Sequence, residues 1–197
     1  MGFTRVHQDG AVQLSVADAD PTPFAAVTAR LAEYDIVVTT LAAEQEKTPD
    51  CRAKFYGLFQ EVEKDVPGYS PATKTTYAQC MQELEQPGML PESVFIATHD
   101  GEYVGLSILR RKVTHQDIRF AGGPDCLSQH LTGVRPDHRR RGIALALKLC
   151  TVEYARQHGF RRILSNSDNP VMQDLNRKLG FRTGPWLIYN LPIGYRQ

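Results

Sequence analysis

Val134-Arg-Pro-Asp-His-Arg-Arg-Arg-Gly-Ile-Ala144 is the stretch on which the reading of this chain turns. A strand-like run, Leu127 to Val134, leads into it, and an amphipathic run, Gly142 to His158, leads out. The spacing predicts a strand, a basic turn and a long helix stopped by Gly159. The first turn of such a helix leaves backbone N–H groups without intrahelical partners and carries the positive end of the helix dipole. Gly142 and Ala144 are small where a backbone must approach a ligand, and Arg139, Arg140 and Arg141 add charge nearby. That combination suits a pyrophosphate. It is not a Walker loop, since Gly-Lys-Ser/Thr is missing, nor a dinucleotide fingerprint, since Gly-x-Gly-x-x-Gly is missing.

Outward from this turn the pattern stays mixed. Arg161 to Ser165 reads as a short buried strand, and Asn169-Pro170 opens a helix that Gly180 ends. Trp186 to Tyr189 reads as a last strand. Upstream, Ser93–Thr98 and Tyr103–Arg111 form a hairpin about Asp100-Gly101, followed by a polar loop over 113–125. Helices are expected over 51–64, where Phe55, Leu58, Phe59 and Val62 share a face, and over 71–84. Residues 11–16 and 35–40 read as strands, with a helix over 24–33 between them. From Asp35 onward the order is β-α-α-β-β-β-α-β-α-β, a mixed α/β arrangement around one sheet.

Composition narrows the class. The chain has 197 residues, 42% hydrophobic and 23% charged, which suits one ordinary domain and excludes collagen, disordered tails and long coiled coils. No apolar run reaches the roughly 18–20 residues of a membrane helix. Met1 to Gly10 lacks the shape of a signal peptide, so a cytoplasmic protein is expected. Cys51, Cys80, Cys126 and Cys150 are scattered, as are the histidines, so reduced thiols and no metal site are expected. Charge is uneven. Residues 135–197 hold 12 Lys and Arg against 4 Asp and Glu, while the first 134 are net acidic. The C-terminal third suits an anionic ligand and the remainder a cationic one. The basic residues cluster at one turn with no interleaved aromatics, which argues against a nucleic-acid partner.

These features resemble the GNAT superfamily of acyl-CoA-dependent N-acetyltransferases. Its CoA loop, Arg/Gln-x-x-Gly-x-Gly/Ala, is matched by Arg139, Gly142 and Ala144. A second signature, an Asn leading through a helix to Gly-Phe, is matched from Asn169 through Met172, Leu175 and Asn176 to Gly180-Phe181. Gln129, Thr132, Val134, His138-Arg139 and Asn166 are most similar to the actinobacterial-type tandem acetyltransferases. The resemblance covers roughly residues 35–190. It implies a mixed, mostly antiparallel central sheet with helices on both faces, with residues 34–197 as the acetyltransferase domain. Residues 1–33 are then a strand–helix extension that adds a strand to the sheet, in this chain or in a homodimer partner.

The resemblance also implies roles. The amides of Arg140, Arg141, Gly142, Ile143, Ala144 and Leu145, with Arg139, should hold the pyrophosphate of acetyl-CoA. Val134 should pair with the pantetheine arm and polarise the thioester carbonyl through its N–H. Asn169 should also meet the arm. Many members carry a general-acid Tyr where this chain has Asn176, so Asn176 is counted with the cofactor contacts and Tyr69, Tyr103 and Tyr189 are candidate acids. Period-two alternation puts Ser128, His130, Thr132 and Val134 on one face of a strand. His130 is the candidate base, with a water chain as competitor. The acceptor, a small primary amine, should meet residues 51–90, with Glu61, Asp65 and Tyr69 as candidate contacts. A protein or peptide acceptor, or a CoA-binding module without catalysis, are the alternatives.

Overall fold

In the computed structural model the residues described are 12–111 and 124–183, together with the backbone of 3–5 and 190–192. The strands are β1 (Phe3–Arg5), β2 (Val12–Ser15), β3 (Val37–Thr40), β4 (Met89–His99), β5 (Glu102–Arg111), β6 (Cys126–Val134), β7 (Arg162–Ser165), β8 (Arg182–Thr183) and β9 (Asn190–Pro192). The helices are α1 (Ala25–Ala29), α2 (Leu41–Lys47), α3 (Cys51–Glu63), α4 (Tyr77–Leu84), α5 (Ile143–Gln157) and α6 (Pro170–Lys178). Seven strands form one sheet in the order β3-β4-β5-β6-β7-β2-β8. Every neighbouring pair is antiparallel except β6 and β7, which α5 connects. β1 and β9 pair separately.

Helices cover both faces. On one, Phe55, Leu58, Phe59 and Val62 of α3 join Leu41, Cys80, Met81, Ile96 and Leu106 in a core. The stripe expected from sequence is therefore core. Gly133 of β6 lets α3 come close, because a Cβ there would lie 2.5 Å from the Val62 Cβ. On the other face Ile143, Ala146 and Leu147 of α5 pack with Leu109, Leu127, Ile163, Leu179 and Phe181.

The N-terminal segment belongs to this second core. β2 lies between β7 and β8, antiparallel to both, and Leu14, Val16, Leu31 and Ile36 are buried with α5. The expectation that this segment adds a strand to the sheet is met within the chain. The continuous helix expected over 24–33 is instead a 3-10 turn at Thr22–Phe24, the short α1 and a second 3-10 turn at Ala32–Tyr34. Asp35 closes that path in the left-handed region at φ 50°. The path runs from one side of the sheet to the other over α5, and a straight helix could not follow it.

Helix α2 has no counterpart in the sequence reading. Thr40 ends β3 and caps α2, its hydroxyl accepting from the Ala43 N–H at 3.2 Å. Glu44 anchors α2 inward, accepting from the Tyr103 hydroxyl at 2.7 Å and pairing with Lys47 at 2.8 Å. In the 71–84 region a 3-10 turn, Pro71–Thr73, precedes α4, which starts at Thr76 in a capping box with Gln79. The polar loop over 113–125 and the strand expected at Trp186–Tyr189 fall mostly or wholly outside the described residues. Cys51, Cys80 and Cys126 are buried, and all four cysteines are free thiols. Among the described residues no helix is long and apolar enough to cross a membrane.

One core residue is ionisable. Lys148 of α5 is 2% exposed, with its Nζ 5.4 Å from the centre of the Phe181 ring. Burial pushes its pKa down to about 7. The unfolded chain holds this proton up to the ordinary lysine range, so between those limits unfolding takes up a proton and stability rises with pH. Lys148→Met should therefore raise the melting temperature most at pH 6–7, with the gain vanishing near pH 10.5. Thermal melts across that range read the difference. Leu14→Ala should cost about 2–4 kcal/mol in urea unfolding, since Leu14 is 2% exposed in the shared core. An unchanged midpoint would mean that the N-terminal strand is not part of the cooperative unit.

Candidate active site

β6 is built differently on its two edges. Along β5 it pairs from Arg111↔Leu127 to Gly105↔Val134. Along β7 it pairs only from Cys126↔Arg162 to Gln129↔Ser165. From His130 to Val134 the β7-facing edge opens into a wedge. The Arg135 N–H donates to the Val104 carbonyl of β5 at 2.9 Å. Alternation then aims the N–H and C=O of Val134 into the wedge. The carbonyl already accepts from Arg139 Nε at 3.1 Å, which leaves the N–H facing the opening. An extended amide chain can lie in such a wedge as an added strand.

The β5–β6 ladder slips at one place. Ile108 pairs with Leu131 and Leu109 with Gln129, so His130 is the extra residue of a bulge. The slip reverses the alternation. Leu127 and Gln129 face α5, with Gln129 meeting the Thr151 hydroxyl at 3.4 Å, whereas beyond the bulge Leu131 and Gly133 face α3 and Val134 faces α5. Ser128, His130, Thr132 and Val134 therefore do not share one face. His130 is turned toward α4, with Nε2 3.7 Å from Glu83 Oε2. That is an ion-pair separation, longer than a hydrogen bond. It still holds the Glu83 carboxyl below its ordinary range, chiefly through His130, with burial opposing and Arg110 assisting.

Beyond the wedge, the basic turn is a set of backbone constraints. Pro136–His138 is a 3-10 turn, Arg139 is extended, and Arg140 and Gly142 are left-handed at φ 62° and 85°. Gly142 is required twice over, since a Cβ there would lie 2.5 Å from Val27 Cγ1 of α1. No side chain of the described residues caps α5, which leaves its first N–H groups open to a ligand. Of the three arginines, Arg139 is tied to Asp65 and Val134. Arg141 donates to the Asp137 carbonyl at 3.3 Å and lies 5.5 Å from the Tyr34 ring centre. Arg140 is exposed, so of the three arginines only Arg139 has its charge matched by a carboxylate.

Asp65 ties three elements together. It ends the α3 region, pairs with Arg139, and its carbonyl accepts from Asn169 Nδ2 at 3.4 Å. Asn169 Oδ1 caps α6, accepting from the N–H groups of Val171 and Met172 at 3.0 and 3.4 Å. Asn176 is buried beside the base of the wedge, donating to the Ser165 hydroxyl at 3.2 Å, while its Oδ1 has no partner among the described residues. His138 is positional: Nδ1 is 2.9 Å from Asp137 Oδ1, and Nε2 is 3.3 Å from His99 Nδ1. The His138 contact holds the Asp137 carboxyl below its ordinary range.

A cleft of about 450 Å³ opens beside Glu83, the carboxylate that His130 faces. Gln79, Gln82 and Glu83 of α4, Arg110 of β5, and Thr73 and Thr75 line it. Glu61, Asp65 and Tyr69 do not. Glu61 pairs with Lys64 at 3.0 Å on the exposed face of α3, and the half-buried Tyr69 donates its N–H to Val66 at 3.0 Å. Glu83 and Arg110 were missed in the sequence because the bulge and the α4–β6 contact that select them are not local features. Tyr103 does not serve this site. It is buried against Glu44, and burial raises its pKa far above the ordinary value. Tyr189 lies outside the described residues. Among the described residues no group of three or more His, Cys, Asp or Glu is placed to hold a metal.

The uncapped α5 N-terminus, the Gly142 cradle, the open edge of β6 and the unpartnered Asn176 Oδ1 together fit a pyrophosphate followed by an extended polyamide. Residues 56–181 match the model of the acetyltransferase (GNAT) family. The chain belongs to that family. Comparison with curated proteins gives no match. Among solved structures, the GCN5-related N-acetyltransferase from Sphaerobacter thermophilus superposes with a TM-score of 0.61 at 18% identity, covering 93% of this chain and 50% of that one. A glucosamine N-acetyltransferase region of a fungal multi-domain GH3 β-N-acetylglucosaminidase gives 0.64 at 17%, over 93% and 20%. The aminoglycoside N-acetyltransferase AAC(6')-Iy in complex with CoA gives 0.55 at 18%, over 83% and 93%. The chain thus spans half or less of the length of the first two. At these identities they show a shared fold.

Gly142→Ala combines a left-handed backbone with a side-chain clash, and should cost about 1–3 kcal/mol in chemical denaturation. Adding Val27→Ala should return only the part due to the clash. A single variant as stable as the parent would show that the turn relaxes freely.

Proposed function

We propose that this GNAT protein transfers an acetyl group from acetyl-CoA to a primary amine by direct attack in a ternary complex. The observation that carries this reading is the wedge, which places the Val134 N–H, the α5 N-terminus and the His130 bulge along one strand and its following turn. The N–H groups of Arg140 to Leu145, with the Arg140 guanidinium, would hold the pyrophosphate. The open edge of β6 would pair with the pantetheine arm, and Asn176 Oδ1 would accept one of its amide N–H groups.

His130 takes the proton that the amine must lose. The free amine nitrogen attacks the thioester carbonyl carbon, and the Val134 N–H stabilises the oxyanion that forms. The C–S bond then breaks, the thiolate leaves and takes up a proton from solvent, and the new C–N nitrogen gives its remaining extra proton to solvent, which leaves a neutral amide and a free thiol. None of the cysteines is needed as a nucleophile, since acyl transfer goes directly to the amine.

Calorimetry with acetyl-CoA tests the cofactor site. The parent should bind, and Arg140→Ala should weaken binding by about 5- to 10-fold at low salt through loss of one charge-assisted contact. Thiol release with a panel of primary amines tests the chemistry. His130→Gln should lower kcat by about 10²–10⁴ while acetyl-CoA binding persists. If the parent ignores acetyl-CoA and CoA alike, the reading fails.

A further inference from the structure

The cleft beside Glu83 holds two opposite charges that feel each other at a distance but are not directly paired. Glu83 and Arg110 both line its wall, yet no salt bridge joins them, and the carboxylate's close contact is His130. Arg110 is half-buried at the end of β5, opposite Ser128 in the ladder. Among the described residues its guanidinium makes no hydrogen bond and no salt bridge. A half-buried guanidinium presents a planar fork of donors that a carboxylate or phosphate matches. The rest of the lining among the described residues is threonine and glutamine, with no apolar or aromatic side chain among them. The wall is therefore ill suited to an aromatic or aliphatic amine. It offers a negative end beside His130, a positive end at Arg110 and neutral hydrogen-bonding groups between.

We propose that the acceptor is a primary amine carrying an anionic group, its ammonium held at Glu83 and His130 and its anion on the Arg110 guanidinium. The proposal rests on the acetyl-transfer reading above and adds the acceptor's class and two binding residues. Glu83 has two successive roles. It attracts the ammonium, and once His130 has taken the proton it faces the resulting imidazolium, so positive charge moves from one neighbour of the carboxylate to the other. His130 links cleft to wedge, because its backbone begins the open edge of β6 while its side chain faces Glu83.

Matched pairs of amines test this directly. Serine against ethanolamine and glutamine against 4-aminobutanamide differ by a carboxylate, and phosphoethanolamine against ethanolamine differs by a phosphate. Transfer is read by thiol release, and binding to the CoA-loaded protein by calorimetry. The anionic member should be favoured by about 10- to 100-fold in kcat/KM, mostly through KM, as expected for one charged contact. The phosphate and carboxylate arms show which anion the site takes. Arg110→Gln should bring the ratio close to one, and Arg110→Lys, which keeps a point charge but loses the fork, should retain an intermediate ratio. Circular dichroism melts establish that the variants are folded. Equal use of both members, or a preference that survives in Arg110→Gln, overturns the acceptor class while leaving acetyl transfer intact. If acetyl-CoA itself does not bind, the transfer reading falls separately. Calorimetry of the same pairs on the free protein then decides whether the cleft selects anions, and absence of binding at millimolar concentration overturns the proposal.

Discussion

Strand β6 stays paired with β5 from Leu127 to Val134, interrupted at the His130 bulge, and gives up its pairing with β7 after Gln129. Backbone groups left without a strand partner need another partner or water. The wedge is therefore a site by construction, and the features around it follow from holding it open. The α5 N-terminus begins nine residues beyond the end of β6, so the uncapped helix end and the open strand edge are neighbours along the chain. The bulge at His130 lies where the β7 pairing stops, and it turns the imidazole from the wedge toward Glu83 of α4.

Holding a wedge open requires braces on both faces. Asp65 supplies one by joining the α3 end, the Arg139 turn and the α6 cap. These are partly exposed contacts, each of modest worth, and their effect is on position more than on stability. The N-terminal segment supplies the other. It enters the sheet between β7 and β8, crosses α5, and seats Val27 against Gly142. The conformation of the basic turn thus depends on a segment far away in sequence. Two of the three consecutive arginines help to hold the turn, Arg139 through the Asp65 carboxylate and Arg141 through the Asp137 carbonyl, so only Arg139 has its charge balanced there.

Much of the architecture was legible in the residues. Asp100-Gly101 marks the β4–β5 hairpin, Asn169-Pro170 marks the start of α6, and Gly142 and Gly159 bracket α5, because each signal acts within a few residues. The short strands β1 and β8, the broken path from Thr22 to Tyr34, and helix α2 were not. α2 rests on the Thr40 cap and the buried Glu44–Tyr103 contact, and Tyr103 is distant in sequence.

The sequence by itself determined the strand–turn–helix unit, the order of the longer elements and the family signatures, since local backbone preferences and period set them. Tertiary structure alone decided which side chains meet. A one-residue slip in the β5–β6 ladder reversed the alternation that had placed His130 with Thr132 and Val134. The acidic residues near the end of α3, conspicuous in sequence, are engaged elsewhere, while Glu83 and Arg110 share the cleft because α4 packs across the sheet above them. Register and helix packing are properties of distant pairs, and no local pattern encodes them.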